Sequence, residues 1–215
     1  MMLRKLFLVG LVCAFMAPTY VFASDKNVYF SGSIGILFSD AAGVDSQDAT
    51  LSAIARGTDA KIEANTGIAV TGAVGMRLMP KVRGEVEYAY RTAGLDKVTS
   101  NVGNAGLQGD ININSLMFNA YYDHDTASSW TPYVGGGLGV AWTKADGFGG
   151  LGAVFSNQTV SDVAYQVMAG LAYDVSAEVD LNVGYRYFGT SDADFTLLSA
   201  SIDTHAIEFG MRYSF

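Results

Sequence analysis

Nine charged residues of this chain share one property: each falls on the polar side of a segment in which polar and apolar residues alternate. They are Arg77, Arg83, Glu85, Glu87, Arg91, Asp180, Arg186, Glu208 and Arg212. Five are arginines and four are acids, so the chemistry open to them is guanidinium–carboxylate pairing through charge-assisted hydrogen bonds. Alternation with period two places such side chains on one face of a β-strand. The pattern predicts strands that turn their charged face toward a common interior.

The chain ends on the clearest of these segments. Its apolar positions are Ile207, Phe209, Met211 and Tyr213, and the positions between them include Glu208, Gly210 and Arg212. An unbroken apolar face opposite a face that carries an arginine and a glutamate suits a wall between lipid and a polar lumen. A strand of a water-soluble sandwich also alternates, so the number and layout of the segments must decide between the two.

The layout favours a membrane barrel. Alternating segments occupy residues 27–38, 66–78, 82–91, 111–123, 130–142, 161–174, 178–189 and 202–215. Their connections are alternately long (39–65, 94–110, 144–160 and 191–201) and short (79–81, 124–129 and 175–177). An even number of strands, each near the 9 to 11 or so residues of a tilted bilayer crossing, predicts an all-β, eight-stranded antiparallel up-and-down transmembrane β-barrel. The short turns and both termini would face the periplasm, and the long connections would lie outside the cell.

Aromatic residues near the segment ends fit the interfacial girdles of such a barrel. The lower girdle would contain Phe30, Tyr122, Trp130, Tyr173, Tyr213 and Phe215, and the upper one Phe38, Tyr90, Trp142 and Tyr187. Beyond the first residues no apolar run approaches the 18 or so residues of a transmembrane helix. A net charge of −8 argues against nucleic acid as a partner, because phosphate binding needs a basic surface.

Residues 1–23 are predicted to be a secretory signal peptide, followed by the barrel at residues 24–215. Arg4 and Lys5 precede an apolar stretch, and the small residue Ala23 ends a cleavage pattern. Removal of this leader would leave 11 basic and 21 acidic residues and a net charge of −10. It would also remove Cys13, the only cysteine, so neither disulfides nor thiol catalysis are expected in the mature protein.

Three strand motifs resemble the OmpA-like and opacity-type family of outer-membrane β-barrels, which includes bacterial surface antigens. They are residues 132–139 (PYVGGGLG), residues 164–174 (AYQVMAGLAYD) and residues 184–188 (GYRYF). The resemblance implies a cell outer-membrane location and surroundings of outer-membrane lipid and lipopolysaccharide. It also implies that Phe209, Met211, Tyr213 and the terminal Phe215 form the signal read by the barrel-assembly machinery. No peptidoglycan-binding domain is expected after the barrel.

The charged interior permits two interpretations. An eight-stranded barrel is just wide enough for side chains to fill, so the nine residues could form a buried ion-pair network that plugs the lumen. They could instead line a gated path for ions or small solutes. If the last hairpin is centred near residue 196, Asp180 faces Arg212 and Arg186 lies diagonal to Glu208.

Other motifs give little support for catalysis, metal binding or a cofactor. Gly147-x-Gly149-x-x-Gly152 matches a dinucleotide pattern, which has meaning only between a parallel strand and a helix, and here a loop is predicted. Residues 123–125 (Asp-His-Asp) are expected to be a solvated turn rather than metal ligands. His205 with Asp203 is the one candidate catalytic pair, on the outward parity.

The expected role is therefore that of a non-enzymatic structural or surface-antigen barrel. Its exposed loops are where variable function would reside. Loops 39–65 and 191–201 are rich in acidic residues and could contact host cells or other surface ligands. The alternatives are a small gated pore and, on the evidence of His205 alone, a lipid-modifying or proteolytic barrel enzyme.

Overall fold

The computed structural model describes residues 28–39, 42–43, 45–46, 61–64, 66–100, 103–106, 108–150, 153–154, 158–191, 193–194, 198–200 and 203–215. The proposed signal peptide at residues 1–23, with Cys13, lies outside the described residues. So does most of the first long connection. Among the described residues, no helix is long and apolar enough to cross a membrane.

Eight long antiparallel strands form one closed barrel. They are β1 (Val28–Ser39), β2 (Gly67–Met79), β3 (Val82–Ser100), β4 (Gln108–Asp123), β5 (Trp130–Gly150), β6 (Gln158–Asp174), β7 (Val179–Thr190) and β8 (Asp203–Ser214). Each strand pairs with its neighbours in sequence, and β8 pairs back onto β1. The predicted all-β barrel is confirmed. We call the side with the short connections and both barrel termini the turn end, and the opposite side the loop end.

The strand register fixes the stagger of the barrel. Stepping across paired residues once round the wall leads from Val28 on β1 through Met76, Gly84, Ala120, Gly136, Val167, Tyr187 and His205 to Phe38. Phe38 lies on the same strand, ten residues beyond the start, so the shear number is ten. A stagger of this size accompanies the strand tilt of about 35–45° that closes small barrels. With only eight strands, the barrel has a narrow interior.

Side chains divide between the two faces as the alternation predicts. Apolar side chains point outward and stay exposed, as with Leu138 at 66% and Phe118 at 64%. Charged side chains point inward and are buried, as with Glu87 at 2% and Arg186 at 5%. This is the reverse of a water-soluble protein, in which fully buried charges are rare unless paired. The outer face is thus built for an apolar solvent.

Two predicted connections are largely strand. β3 continues to Ser100 and β5 to Gly150, so residues 94–110 and 144–160 extend their hairpins beyond the barrel wall. The strand Lys61–Ala64, inside the predicted first loop, pairs with β3 over Leu95 to Thr99. These residues were predicted to be loops because they lack an alternating pattern. A ladder outside the membrane needs only backbone hydrogen bonds, and neither of its faces has to be apolar.

Glycines on the inner face make room for aromatic rings. A Cβ atom on Gly135 would lie 2.4 Å from the Tyr121 ring, and one on Gly75 would lie 2.3 Å from the ring of Tyr29. Small residues opposite large ones let large side chains fit into the narrow lumen. The run of three glycines in β5 is therefore explained mainly by its neighbours on β4.

Aromatic contacts mark both rims. At the turn end, Trp130 packs on Tyr173 with ring centroids 4.8 Å apart, and Phe30 meets Phe215 at 5.2 Å. At the loop end, Tyr165 and Tyr187 lie 6.1 Å apart. These positions agree with aromatic residues at the borders of an apolar band.

Two glycines of β5 that lie on different faces of the strand are expected to differ in how much an alanine at their position lowers stability. In Gly139→Ala the new Cβ would meet the Leu116 backbone oxygen at 2.1 Å, whereas in Gly136→Ala the nearest such atom is 3.8 Å away. We expect Gly139→Ala to lower the free energy of unfolding in lipid vesicles by about 1–3 kcal/mol. Gly136→Ala, its matched control, should change it by less than about 0.5 kcal/mol. Equal stability of the two variants would contradict the assigned faces.

Candidate functional site

The charged lumen begins near the turn end with Arg83 on β3. Its guanidinium binds Asp123 of β4 through two hydrogen bonds, Nε to Oδ2 at 2.7 Å and Nη2 to Oδ1 at 2.9 Å. Nη1 donates to Glu85 at 3.2 Å and to the Tyr29 hydroxyl at 3.1 Å, and that hydroxyl donates to Glu85 at 2.8 Å. The Tyr121 ring lies 4.5 Å from the guanidinium carbon. One arginine thus joins β1, β3 and β4.

The prediction of a solvated turn at residues 123–125 is wrong for Asp123. Its exposed fraction is 3% because it points into the lumen on the last position of β4. His124 is exposed, and Asp125 pairs with Lys81 at 3.9 Å on the surface. Among the described residues no group of three or more possible ligands could hold a metal ion.

A second cluster surrounds Arg186 of β7 in the middle of the lumen. Its Nη1 lies 2.7 Å and 3.0 Å from the two carboxylate oxygens of Glu87 on β3. On its other side, Nε lies 2.9 Å from Oε1 and Nη2 lies 3.0 Å from Oε2 of Glu208 on β8. The guanidinium therefore bridges two carboxylates from different walls of the barrel.

Two amide side chains complete this cluster. Gln166 accepts from Arg186 Nη1 at 2.8 Å, and its Nε2 donates to Glu87 at 3.2 Å and to Asn119 Oδ1 at 2.7 Å. Asn119 in turn donates to Glu87 at 3.3 Å. Since Gln166 is 2% and Asn119 5% exposed, these bonds replace water for polar atoms that would otherwise be costly to bury.

The hydrogen bonds continue to the remaining walls through hydroxyl groups. Ser33 of β1 donates to Glu208 at 3.3 Å and shares a 2.7 Å hydrogen bond with Thr71 of β2. The connected residues are Thr71, Ser33, Glu208, Arg186, Glu87, Asn119 and Gln166, which come from seven strands. We call them the lumen network. The eighth strand contributes Gly137, where a Cβ would lie 2.0 Å from Asn119 Oδ1.

Toward the loop end, Arg91 lies under an apolar layer. Its guanidinium donates to Ser115 at 2.8 Å and to Gln166 at 3.4 Å, and its carbon lies 4.0 Å from the centroid of the Phe188 ring. Phe188 belongs to a buried apolar cluster with Met117 and Ile113. A guanidinium stacked on an aromatic face retains a favourable contact without water.

At the turn end the last pair is Arg212 with Asp180. These residues face each other across β7 and β8, and Arg212 Nε donates to Asp180 Oδ2 at 2.6 Å. Arg186 faces Ala206 and so lies diagonal to Glu208. Arg77 is the exception among the nine charged residues: it is exposed, and its Nη1 donates to the Pro80 carbonyl at 2.9 Å.

Described residues of the lumen line two cavities. One of about 60 Å³ separates the Arg83 cluster from the lumen network, and Arg83, Arg186 and Arg212 line it. The other, about 360 Å³, opens at the turn end and is lined by Arg212, Asp123 and Asp180 among others. Arg212 borders both cavities.

The remaining sequence motifs take other places. Gly147 and Gly149 lie in β5, not in a loop as predicted, and Gly149 pairs with Gln108 of antiparallel β4. Asp203 accepts a 2.8 Å hydrogen bond from the Tyr187 hydroxyl, while His205 Nδ1 is hydrogen-bonded to the hydroxyl of Tyr185. These hydrogen bonds join Asp203 and His205 to different tyrosines.

Together, the closed wall, apolar exterior and charged interior define an integral membrane β-barrel. A family model described as an outer membrane protein beta-barrel domain matches residues 7–215, and this chain belongs to that family. The protein is thus located in the outer membrane.

Several known proteins are similar to this chain. An uncharacterized protein of Brucella abortus is 26% identical over 132 residues, a match that covers 47% of this chain and 46% of that protein. The chain therefore matches about half the length of this relative. Neisserial surface protein A is similar in structure, with a TM-score of 0.58 and 22% identity, covering 87% of this chain and 97% of that one. The N-terminal β-barrel domain of Pseudomonas aeruginosa OprF gives 0.45 and 15%, with 88% and 98% covered.

The sequence analysis missed three polar members of the site. Gln166 and Asn119 carry no charge, and Asp123 was assigned to a turn. The alternation could have identified all three, because Asn119 and Asp123 lie on the same strand face as Ser115, and Gln166 lies on the same face as Met168. The contact of Gln166 with Glu87 could not be found that way, since β6 and β3 are not neighbours in the barrel.

Arg186 and Arg77 form a matched pair for measuring the value of the lumen network. In Arg186→Met two buried carboxylates lose their shared cation, and we expect the free energy of unfolding in vesicles to fall by about 3–5 kcal/mol. Arg77→Met removes the same group from an exposed position and should cost less than about 0.5 kcal/mol. Adding Glu87→Gln and Glu208→Gln to Arg186→Met should recover part of the loss. No recovery would show that packing, not charge, holds this cluster.

Proposed function

We propose that this protein is a non-enzymatic outer-membrane anchor whose lumen is closed and whose extended hairpins form a surface for contact outside the cell. The lumen network carries the proposal, because hydrogen-bonded side chains from seven strands converge in one place. A solute would have to break several charge-assisted hydrogen bonds to pass. Arg91, Phe188 and Met117 add an apolar layer on the loop side.

The loop end supplies the surface. The β3–β4 and β5–β6 hairpins extend past the wall, and Asp45–Ser46 of the first connection pairs with Leu198–Ala200 of the last. A second short strand, Ala193–Asp194, joins that pairing. Loops 39–65 and 191–201, our candidates for contact with host cells or other surface ligands, thus meet through backbone hydrogen bonds. Most of the first loop lies outside the described residues.

A non-catalytic role is supported by the surroundings of the candidate pair. A general base must be oriented toward the proton that it removes, often by a third group. Here the Tyr187 hydroxyl donates to Asp203 and the Tyr185 hydroxyl is hydrogen-bonded to His205, so each member of the pair is held by a tyrosine. The C-terminal residues Phe209, Met211 and Tyr213 point outward. Together with Phe215 we propose them as the signal for barrel assembly.

A small gated pore is the second candidate. It is favoured by Arg212, which borders both the turn-end cavity and the inner cavity and is held by the single carboxylate of Asp180. Movement of this one side chain would join the two spaces. The lumen network would still have to open before ions could cross.

Planar-bilayer recording separates the two candidates. We expect the folded wild-type monomer to show no large steady conductance. A triple variant, Arg186→Ser with Glu87→Ser and Glu208→Ser, removes the bridging cation together with the two carboxylates that it joins, so neither carboxylate stays buried without its cation. It should show channel openings that wild type and the Arg77→Ser control lack. Steady conductance from wild type would contradict the closed lumen and favour the pore.

The surface role has its own test. Replacing residues 47–60 with a Gly-Ser segment of equal length should reduce binding to host cells while leaving the heat-modifiable gel mobility of the folded barrel unchanged. The control is the same replacement at residues 101–102 and 107, in the second long hairpin. Unchanged adherence in the first variant would argue against contact through this loop. The role of a closed outer-membrane anchor would then be the only part of the proposal that remains.

A further inference from the structure

The first and last strands of the barrel meet at a seam that carries three aromatic rings at the turn end. Phe30 lies on β1, Tyr213 lies on β8, and Phe215 follows β8 directly. Phe30 and Tyr213 are opposite each other in the ladder, and both are exposed, at 42% and 41%. The three rings therefore lie together on the outer face, across the line where the barrel closes.

Ring contacts join the C-terminal residue to both strands. The Phe215 ring meets the Phe30 ring with centroids 5.2 Å apart at 87°, and it meets the Tyr213 ring at 5.1 Å and 77°. Such edge-to-face arrangements suit the charge distribution of aromatic rings. The Phe215 amide also donates to the Val28 carbonyl at 3.1 Å. β1 thus holds Phe215 through both its backbone and its ring.

The seam differs from the other strand contacts of the wall in how it must form. Every other pair of neighbouring strands is consecutive in the chain, so the segment between them keeps the two strands close together. β1 and β8 are the first and last strands of the wall. Since the entropy cost of bringing two segments together grows with the length of chain between them, contacts at the seam have to replace the missing turn.

The seam must also find its register without a turn. Gly35 lies opposite Glu208 on the inner face, and a Cβ on Gly35 would lie 2.9 Å from Glu208 Cγ. A slip by two residues keeps every side chain on its face, but it would set Ser33 or Leu37 opposite Glu208, and both carry a Cβ. The inner face therefore favours the register in which the three outer rings meet.

Each end of the seam has a tie of its own. At the loop end, Asp45–Ser46, which follows β1, pairs with Leu198–Ala200, which precedes β8. At the turn end, the contact between Phe30 and Phe215 takes this part.

Before closure, β8 has an open edge. Its backbone groups that pair with Tyr29 to Ser39 of β1 in the closed barrel would be unpaired, and lipid offers them no partner. A protein that assists insertion has to cover this edge, and it would contact the outward residues of the proposed assembly signal. β1 covers the same edge and the same Phe215 ring. The two partners therefore exclude each other.

We propose that the outer face of β1 at Phe30 is a binding seat for the C-terminal aromatic signal, and that closure transfers Phe215 from the assembly machinery to this seat. The inference rests on the proposed assembly signal. Backbone hydrogen bonds to the machinery are replaced by those to β1, so they contribute little to the direction of the exchange. The contact of Phe215 with Phe30 forms only in the closed barrel and therefore favours release.

A double-mutant cycle in lipid vesicles that contain no assembly machinery tests the seat. The full barrel carries Phe30→Ala, Phe215→Ala or both, and heat-modifiable gel mobility in urea measures the equilibrium between folded and unfolded protein. We expect the two substitutions to be coupled by about two- to tenfold in this equilibrium, as for aromatic rings in contact. Phe30→Tyr keeps the ring and should resemble wild type. If Phe30→Ala does not fold, Phe30→Leu takes its place, since it keeps apolar bulk without a ring.

Trp130 provides the matched control for this cycle. It packs on Tyr173 at 4.8 Å, also at the turn end, but across β5 and β6. Trp130→Ala and Phe215→Ala should be additive to within about twofold, because the two residues lie on different pairs of strands. Additivity of the Phe30 and Phe215 substitutions would overturn the proposal.

Assembly on the purified machinery in proteoliposomes tests the transfer. Phe30→Ala should stay bound to the machinery about two- to tenfold longer than wild type or Phe30→Tyr, as measured by pull-down at successive times. Release of Phe30→Ala at the wild-type rate would overturn the transfer. Normal assembly of Phe215→Ala in cells would instead contradict the proposed assembly signal, since the coupling measured in vesicles does not involve the machinery.

Discussion

Backbone hydrogen bonding is the constraint on which this structure depends. A bilayer offers no water to an unpaired N–H or C=O group, so each one left open costs several kcal/mol. β8 therefore pairs with β1 over most of its length, from Tyr29 with Ser214 to Ser39 with Thr204. Closure with only eight strands then makes the lumen narrow, and a narrow lumen must be filled by side chains.

Filling the lumen with charge works because the buried guanidinium groups of Arg83 and Arg186 each have several partners. Arg83 contacts Asp123, Glu85 and Tyr29, and Arg186 joins two carboxylates to an amide. Burying an ion pair costs desolvation energy that Coulomb attraction alone often does not offset. The planar guanidinium compensates through its number of directed donors. Glycines on the facing strands, such as Gly137, provide the space that the guanidinium and amide groups occupy.

The alternation of polar and apolar residues predicts which face of its strand each residue occupies. The barrel and the pairing of Asp180 with Arg212 could be predicted from it. It could not show that Arg186 reaches Glu87, since β7 and β3 are not neighbours and their contact depends on the shear of the whole wall. Alternation also ends where the membrane ends. For this reason the extended ladders of β3 and β5 carry no apolar signal, and their residues were taken for loops.

The same solvent argument separates the two sets of ionisable residues. In the lumen, Glu87 and Glu208 are both paired with Arg186, so their charges are compensated within the protein. Asp203 and His205 face the other way, where the Tyr187 hydroxyl donates to Asp203 and the Tyr185 hydroxyl is hydrogen-bonded to His205. A carboxylate needs more than one hydrogen bond to replace its hydration. On the outward face such groups are placed near the ends of the strands, where the cost of a charge beside lipid falls to about 0–1 kcal/mol.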